Sequence, residues 1–211
     1  FLVPTDYSPE DTVEILGIDV LCGTPILEIK NKLRENSIFK TNLSAFTSDA
    51  KYWLDLKTIC TGDVVVDMTE FSDHAFPENY FDIIFIGKSL ELFKSPLDLL
   101  SNSFKNLKED GVLLFRVNNP SDFMHLFGDN FVNPDSISFT NSISEIGIDS
   151  LISNITQIGF KSHRIMSENW PLDPDQAQVV SETIDHIQDE SKENIDLSNW
   201  SIKQFLFVCR K

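Results

Sequence analysis

The chain has 211 residues, 41% of them apolar and 17 of them phenylalanine, enough to bury the core of one large domain. Its 33 acidic against 17 basic side chains give a formal charge of −16, which excludes the clustered cationic face that tracks nucleic-acid phosphates. No apolar run reaches the roughly 18 residues of a membrane-spanning helix. The three cysteines, Cys22, Cys60 and Cys209, are scattered and odd in number, so reduced thiols and a cytoplasmic setting are the expectation. The chain starts at Phe1 without a methionine, and a module of a longer protein is expected.

Strands and helices alternate along the chain. "TVEILGIDV" (12–20) is β-branched and apolar with little strict alternation, as a strand covered on both faces should be. From Pro25 the period changes: Ile26, Leu27, Ile29 and Leu33 fall on one helical face, with proline in the first turn. "SIFKTNL" (37–43) predicts a second strand, and Ser44 a cap for a following helix that carries Phe46, Ala50, Trp53 and Leu54. "DVVVDM" (63–68) predicts a third strand.

The next unit carries the clearest signals. "YFDIIFIG" (80–87) is a continuous apolar strand bounded by Gly87. In "SPLDLLSNSFKNLKEDG" (95–111), Ser95 suits an N-cap, Pro96 the first turn, and Leu97, Leu100, Phe104 and Leu107 an apolar stripe that Gly111 ends. "VLLFRV" (112–117) predicts strand five. The loop-rich stretch 118–143 is long enough to be a lid or insertion. A helix near 144–158, a strand at 160–167, an acidic helical segment at 173–192 and a last strand at 202–210 complete the pattern. Such alternation predicts an α/β protein built on an open, doubly wound, mostly parallel sheet. Ligands of these sheets bind beyond the carboxyl ends of the strands, which ranks residues 19–25, 41–43, 67–70, 87–91 and 117–120 first.

The run 76–120, with its "YFDIIF", "SLELF" and "LKEDGVLLF", resembles the middle of class I methyltransferases that use S-adenosylmethionine. It is most similar to bacterial members that occur fused to, or beside, glycosyltransferases. The resemblance covers about Val13 to Val208. It implies one methyltransferase-like domain over 1–211, with a seven-stranded Rossmann-like sheet ordered 3-2-1-4-5-7-6 and its last strand antiparallel.

It also implies site residues. In the family an acidic residue ends strand one, and glycines at alternate positions lead into a helix. Here Asp19, Leu21, Gly23 and Pro25 take those places, so only Gly23 keeps a family glycine. Leucine neither lets the cofactor approach the backbone closely nor tolerates positive φ readily. At the end of strand two, Asn42 stands where an acid normally accepts both ribose hydroxyls. Asp67, with Met68 beside it, matches the group that contacts the adenine amino group, and Gly87 joins the cofactor-binding set. After strand four the family often has an acid and then a Glu–His pair. Here Lys88, Glu91 and Leu92 stand instead, which retains Glu91 as the catalytic candidate but removes the neutral-pH base. Asn118 and Asn119 would face the acceptor. Each position also has a plain structural use: "VLCGTP" as a tight β–α turn, Asn42 as a turn residue, Asp67 as a loop cap.

Other chemistry is poorly supported. The four histidines are far apart and in no metal-ligand spacing, so no metal is expected. Neither a G-x-S-x-G elbow nor a G-x-G-x-x-G fingerprint occurs. Two functions remain: a methyltransferase using S-adenosylmethionine on a small molecule or sugar-containing acceptor, and a non-catalytic binding or scaffold module of that fold beside a glycosyltransferase.

Overall fold

The apolar run at the start of the chain forms the axis of the sheet. In a computed structural model, which describes residues 10–67, 71, 76–119, 148–169, 178 and 202–211, it becomes β1 (Thr12–Ile18). In chain order there follow α1 (Thr24–Glu35), β2 (Lys40–Thr47), α2 (Trp53–Ile59), β3 (Val64–Val66), β4 (Phe81–Ser89), α3 (Pro96–Asn106), β5 (Leu107–Asn118), α4 (Ile148–Ile158), β6 (Ser162–Asn169) and β7 (Ile202–Arg210). The strands form one seven-stranded sheet in the order β3-β2-β1-β4-β5-β7-β6, mostly parallel with the last strands antiparallel. The predicted α/β class and strand order are those observed.

β1 pairs in parallel with β2 on one side and β4 on the other. Its alternate residues Val13 and Ile15 join a core cluster with Ile26, Ile29 and Leu33 of α1 and Leu56 of α2. Leu16 and Ile18, which point the other way, are also buried, so the strand is covered on both faces. A chain of phenylalanine rings, Phe46–Phe71–Phe76–Phe81, runs at centroid spacings of 5.2, 6.3 and 5.4 Å. Phe115 of β5 stacks on Phe207 of β7.

Three predicted boundaries differ from those observed. The second strand is Lys40–Thr47 rather than 37–43, because each residue from Thr12 to Ile18 pairs with one from Lys40 to Phe46. Ser44 therefore lies within β2 and caps no helix; its buried hydroxyl accepts from the Asp63 amide (3.2 Å). The helix predicted after it begins only at a 3-10 turn, Ala50–Tyr52, that leads into α2. Further on, α3 stops at Asn106, before the expected Gly111. "KEDG" (108–111) is an interruption within β5, since Phe81 pairs with Leu107 but Ile83 pairs with Val112. The expected lid from residue 120 onward, the acidic segment apart from Gln178, and the helix before Ile148 lie outside the described residues.

The chain divides into two compact units, the first comprising Phe1–Val117, Glu145–Ile165 and Leu206–Lys211 and the second Asn118–Ser144 and Met166–Phe205. The elements around the carboxyl end of β1 belong to the first. Among the described residues no helix is long and apolar enough to cross a membrane.

Gly87, inside β4, is what lets the chain leaving β1 pass close by. A Cβ there would lie 2.4 Å from the Asp19 carbonyl oxygen and 2.7 Å from the Val20 Cα, both backbone atoms that cannot swing aside. Gly87→Ala is expected to lower the unfolding free energy by about 2 kcal/mol or more in urea titrations. An unchanged midpoint and slope would show that the two backbones separate freely.

Candidate functional site

Just beyond β1 the Asp19 carboxylate gathers three strands. It is almost fully buried, and its backbone amide donates to the Phe46 carbonyl of β2 (2.8 Å). Oδ1 accepts from the Ser48 amide (2.6 Å) and hydroxyl (3.0 Å), just past β2. Oδ2 accepts from the same hydroxyl (2.9 Å) and from Lys88 Nζ on β4 (2.9 Å). Lys88 also donates to Ser48 Oγ (3.0 Å) and lies 5.8 Å from the Phe93 ring centroid. A buried carboxylate needs such compensation, because desolvating an unpaired charge costs several kcal/mol. Lys88, which stands where the resemblance expects an acid, is thus the counter-ion of the acid that follows β1. The Lys88 side chain is 36% exposed and that of Asp19 only 3%.

The turn that follows has an unusual backbone. Asp19, Leu21 and Gly23 have φ of 50°, 55° and 90°, so alternate residues are left-handed. Leu21 occupies a position where the resemblance expects glycine, and it keeps the glycine-like conformation at a cost of about 1–2 kcal/mol. Its side chain is half exposed. Gly23 is the N-cap of α1, which has proline in its first turn and no side-chain cap, so the helix amides and dipole face the turn. Strain of this kind persists only where surrounding contacts hold it. Here the Asp19 carboxylate and the close approach at Gly87 are those contacts.

The remaining predicted positions scatter. Asn42 is not at a strand end: it is the third residue of β2, about 16 Å along the strand from Thr47. There it donates to Glu14 (2.8 Å) and accepts from the Thr61 hydroxyl (2.8 Å). The acid that follows β2 is Asp49, missed because the strand was expected to end too early. Equal lengths for paired strands one and two would have pointed to it. The Asp49 carboxylate accepts from the Lys51 amide (3.1 Å) and pairs with its ammonium (2.6 Å), which holds its carboxyl below the usual range. Asp67 follows β3, exposed, with its amide donating to the Thr47 carbonyl (3.2 Å). Met68 lies outside the described residues. The Gly87 carbonyl accepts from Arg116 Nη2 (2.6 Å). Glu91 is half-buried on a 3-10 turn, Leu90–Leu92, beyond β4, and Leu92 is exposed. Asn118 ends β5, and the buried Asn119 spends its amide and its Nδ2 on the carbonyls of Lys203 (3.0 Å) and Ile202 (2.8 Å).

The architecture matches solved proteins. The chain is similar to an S-adenosylmethionine-dependent methyltransferase from Archaeoglobus fulgidus (TM-score 0.59, 15% identity, covering 96% of this chain and 87% of that one). It is also similar to one from Mesorhizobium loti (TM-score 0.56, 9% identity, covering 97% and 94%). A third similar chain was solved in complex with the Haloferax volcanii Trm112 methyltransferase activator (TM-score 0.59, 11% identity, covering 94% and 81%). No family model and no curated relative matches the sequence. The chain has the class I methyltransferase fold.

The solved proteins of this fold include S-adenosylmethionine-dependent methyltransferases, and the fit of these residues to that nucleoside is divided. The backbone is compatible with it: the left-handed turn and the end of α1, which has no side-chain cap, leave amide donors beyond the carboxyl end of β1. The charges do not fit its sulfonium. The carboxylates following β1 and β2 are already matched by Lys88 and Lys51, at 2.9 and 2.6 Å.

Cys22 lies on the same turn, exposed, its thiol 3.5 Å from the Thr24 hydroxyl. Hydrogen bonds from Thr24 push its pKa down. Burial instead pushes Cys60 up to about 11 and Cys209 up to about 12. The thiolate is the nucleophile. Iodoacetamide at pH 7.5 is therefore expected to alkylate Cys22 first, with Cys60 and Cys209 labelled only after denaturation; simultaneous labelling of all three would contradict the geometry.

Proposed function

We propose that the turn 19–23 is the platform for an adenosyl nucleoside of the S-adenosylmethionine class, and that methyl transfer to a small-molecule or sugar-containing acceptor is the activity this fold serves. The observation that carries the proposal is the alternate left-handed backbone at Asp19, Leu21 and Gly23. The Asp19 carboxylate and the close approach at Gly87 hold Leu21 in that strained conformation, and strain of this kind clusters at ligand-binding sites, which supports this turn as the platform. In this reading Asp49, which follows β2, takes the ribose-facing place, Asp67 faces the adenine, and Gly87 keeps the turn seated. Glu91 faces the acceptor. Methyl transfer is an in-line displacement helped mainly by positioning, so Leu92 in place of a histidine does not preclude it.

A second reading is a nucleoside-binding module without methyl transfer, acting beside a glycosyltransferase. The Asp19–Lys88 pair favours it, because the acid ending β1 is no longer open to a cationic donor.

Titration calorimetry with S-adenosylmethionine and S-adenosylhomocysteine tests both. Micromolar binding of either supports the platform, and no heat at millimolar ligand contradicts it. Transfer of a labelled methyl group from bound donor to acceptor mixtures separates the first reading from the second.

A further inference from the structure

We infer that the acceptor is an amphiphilic carboxylate, an organic acid with an apolar body, whose charged head is received by Arg116. The inference rests on the platform proposed above and adds the chemical class of the molecule held beside it.

Arg116 lies near the carboxyl end of β5, opposite Ser89 in the β4–β5 register. That register slips between Phe85 and Ser89, and within the slip the Gly87 carbonyl accepts from Arg116 Nη2 (2.6 Å). This is the one hydrogen bond the guanidinium makes among the described residues. Nε is buried without a partner, and no carboxylate of the described residues pairs with the charge. Lys88 and Lys51, by contrast, are matched by Asp19 (2.9 Å) and Asp49 (2.6 Å). The chain has 33 acidic against 17 basic side chains, so a half-buried cation left without an acid does not reflect a shortage of partners. A partly desolvated charge costs free energy until it is answered. The planar fork of a guanidinium matches the two oxygens of a carboxylate. Its place is beside the platform, because the carbonyl it holds belongs to Gly87, the residue against which the Asp19 and Val20 backbone is packed.

The same edge is rich in exposed apolar side chains. Of the seven large hydrophobic residues exposed among those described, five stand there. Leu21 is on the turn, Trp53 and Leu54 open α2, Leu92 is on the 3-10 turn after β4, and Leu97 is in the first turn of α3. The other two, Phe39 and Tyr80, precede β2 and β4 at the opposite edge. Apolar surface gathered at one edge marks a binding surface for apolar groups. A free sugar, polar all round, would use neither the rim nor the guanidinium; an acid with an alkyl or aromatic body uses both.

Calorimetric Kd values for octanoate, octanol and butanoate, on the protein with and without S-adenosylhomocysteine, test the inference. Wild type is expected to bind octanoate about tenfold more tightly than octanol, which lacks the charge-assisted hydrogen bonds. It should also bind octanoate about tenfold more tightly than butanoate, since the longer chain takes more methylenes out of water. Arg116→Gln should remove the preference over octanol and leave the Kd for S-adenosylhomocysteine unchanged. Arg116→Lys keeps the charge and should keep the preference. Octanol bound by wild type as tightly as octanoate overturns the inference, a comparison that holds even where both variants fail to fold. Butanoate bound as tightly as octanoate overturns it too, as does a preference that survives in Arg116→Gln. Loss of S-adenosylhomocysteine in step with octanoate in that variant assigns the guanidinium to the nucleoside's own carboxylate and also overturns it. Failure of wild type to bind S-adenosylhomocysteine contradicts the platform, and the acid site is then decided by the three probes read without nucleoside.

Discussion

A buried carboxylate must be answered from every side, and at Asp19 the answer ties three strands into one edge. Its amide is held by β2, its oxygens by Ser48 beyond β2 and Lys88 at the end of β4. The carboxyl ends of β1, β2 and β4 are thereby set relative to one another at the place where open α/β sheets bind ligands. The left-handed turn depends on the same tie. With Asp19 fixed and Gly87 admitting its backbone, the chain has little choice but to pass through a strained Leu21 before α1 begins.

This arrangement reconciles two features that conflict as sequence. The loss of glycine at 21 suggests a cofactor loop that has ceased to function, whereas the fold signals around it are intact. In the structure the turn is left-handed at Asp19, Leu21 and Gly23, and Lys88 pairs with the acid that begins it. A leucine can be carried in a glycine conformation at modest cost when packing holds it there. The lysine opposite Asp19 supplies the charge that its buried carboxylate needs.

Much of the fold could be read without coordinates, because β1, β4, α3 and β7 are marked by local signals: continuous apolar runs, Pro96 at a helix start, period 3.6 stripes. Strand two was misjudged for a physical reason. Ser44 and Thr47 are residues that usually announce a cap, yet here they are buried in a strand, their hydroxyls bonded to loop backbone (Asp63 amide, 3.2 Å; Asp49 carbonyl, 3.2 Å). That error put Asn42 at the expected strand end, whereas β2 runs on to Thr47 and the acid that follows it is Asp49. The Asp19–Lys88 pair lay beyond any local pattern, since its partners stand 69 residues apart and meet only because β1 and β4 are neighbours. Sequence could flag Lys88 as out of place; its partner had to come from the topology.

The central claim is that Asp19 and Lys88 act as one unit in holding the edge, and a double-mutant cycle on unfolding free energy tests it most directly. Asp19→Asn, Lys88→Met and the double variant are compared with wild type by urea denaturation. The account expects a coupling energy of about 1–3 kcal/mol, with Lys88→Met alone, which strands a buried carboxylate, more destabilising than the double variant. Additivity within about 0.5 kcal/mol would show that the two charges stand independently and would contradict it.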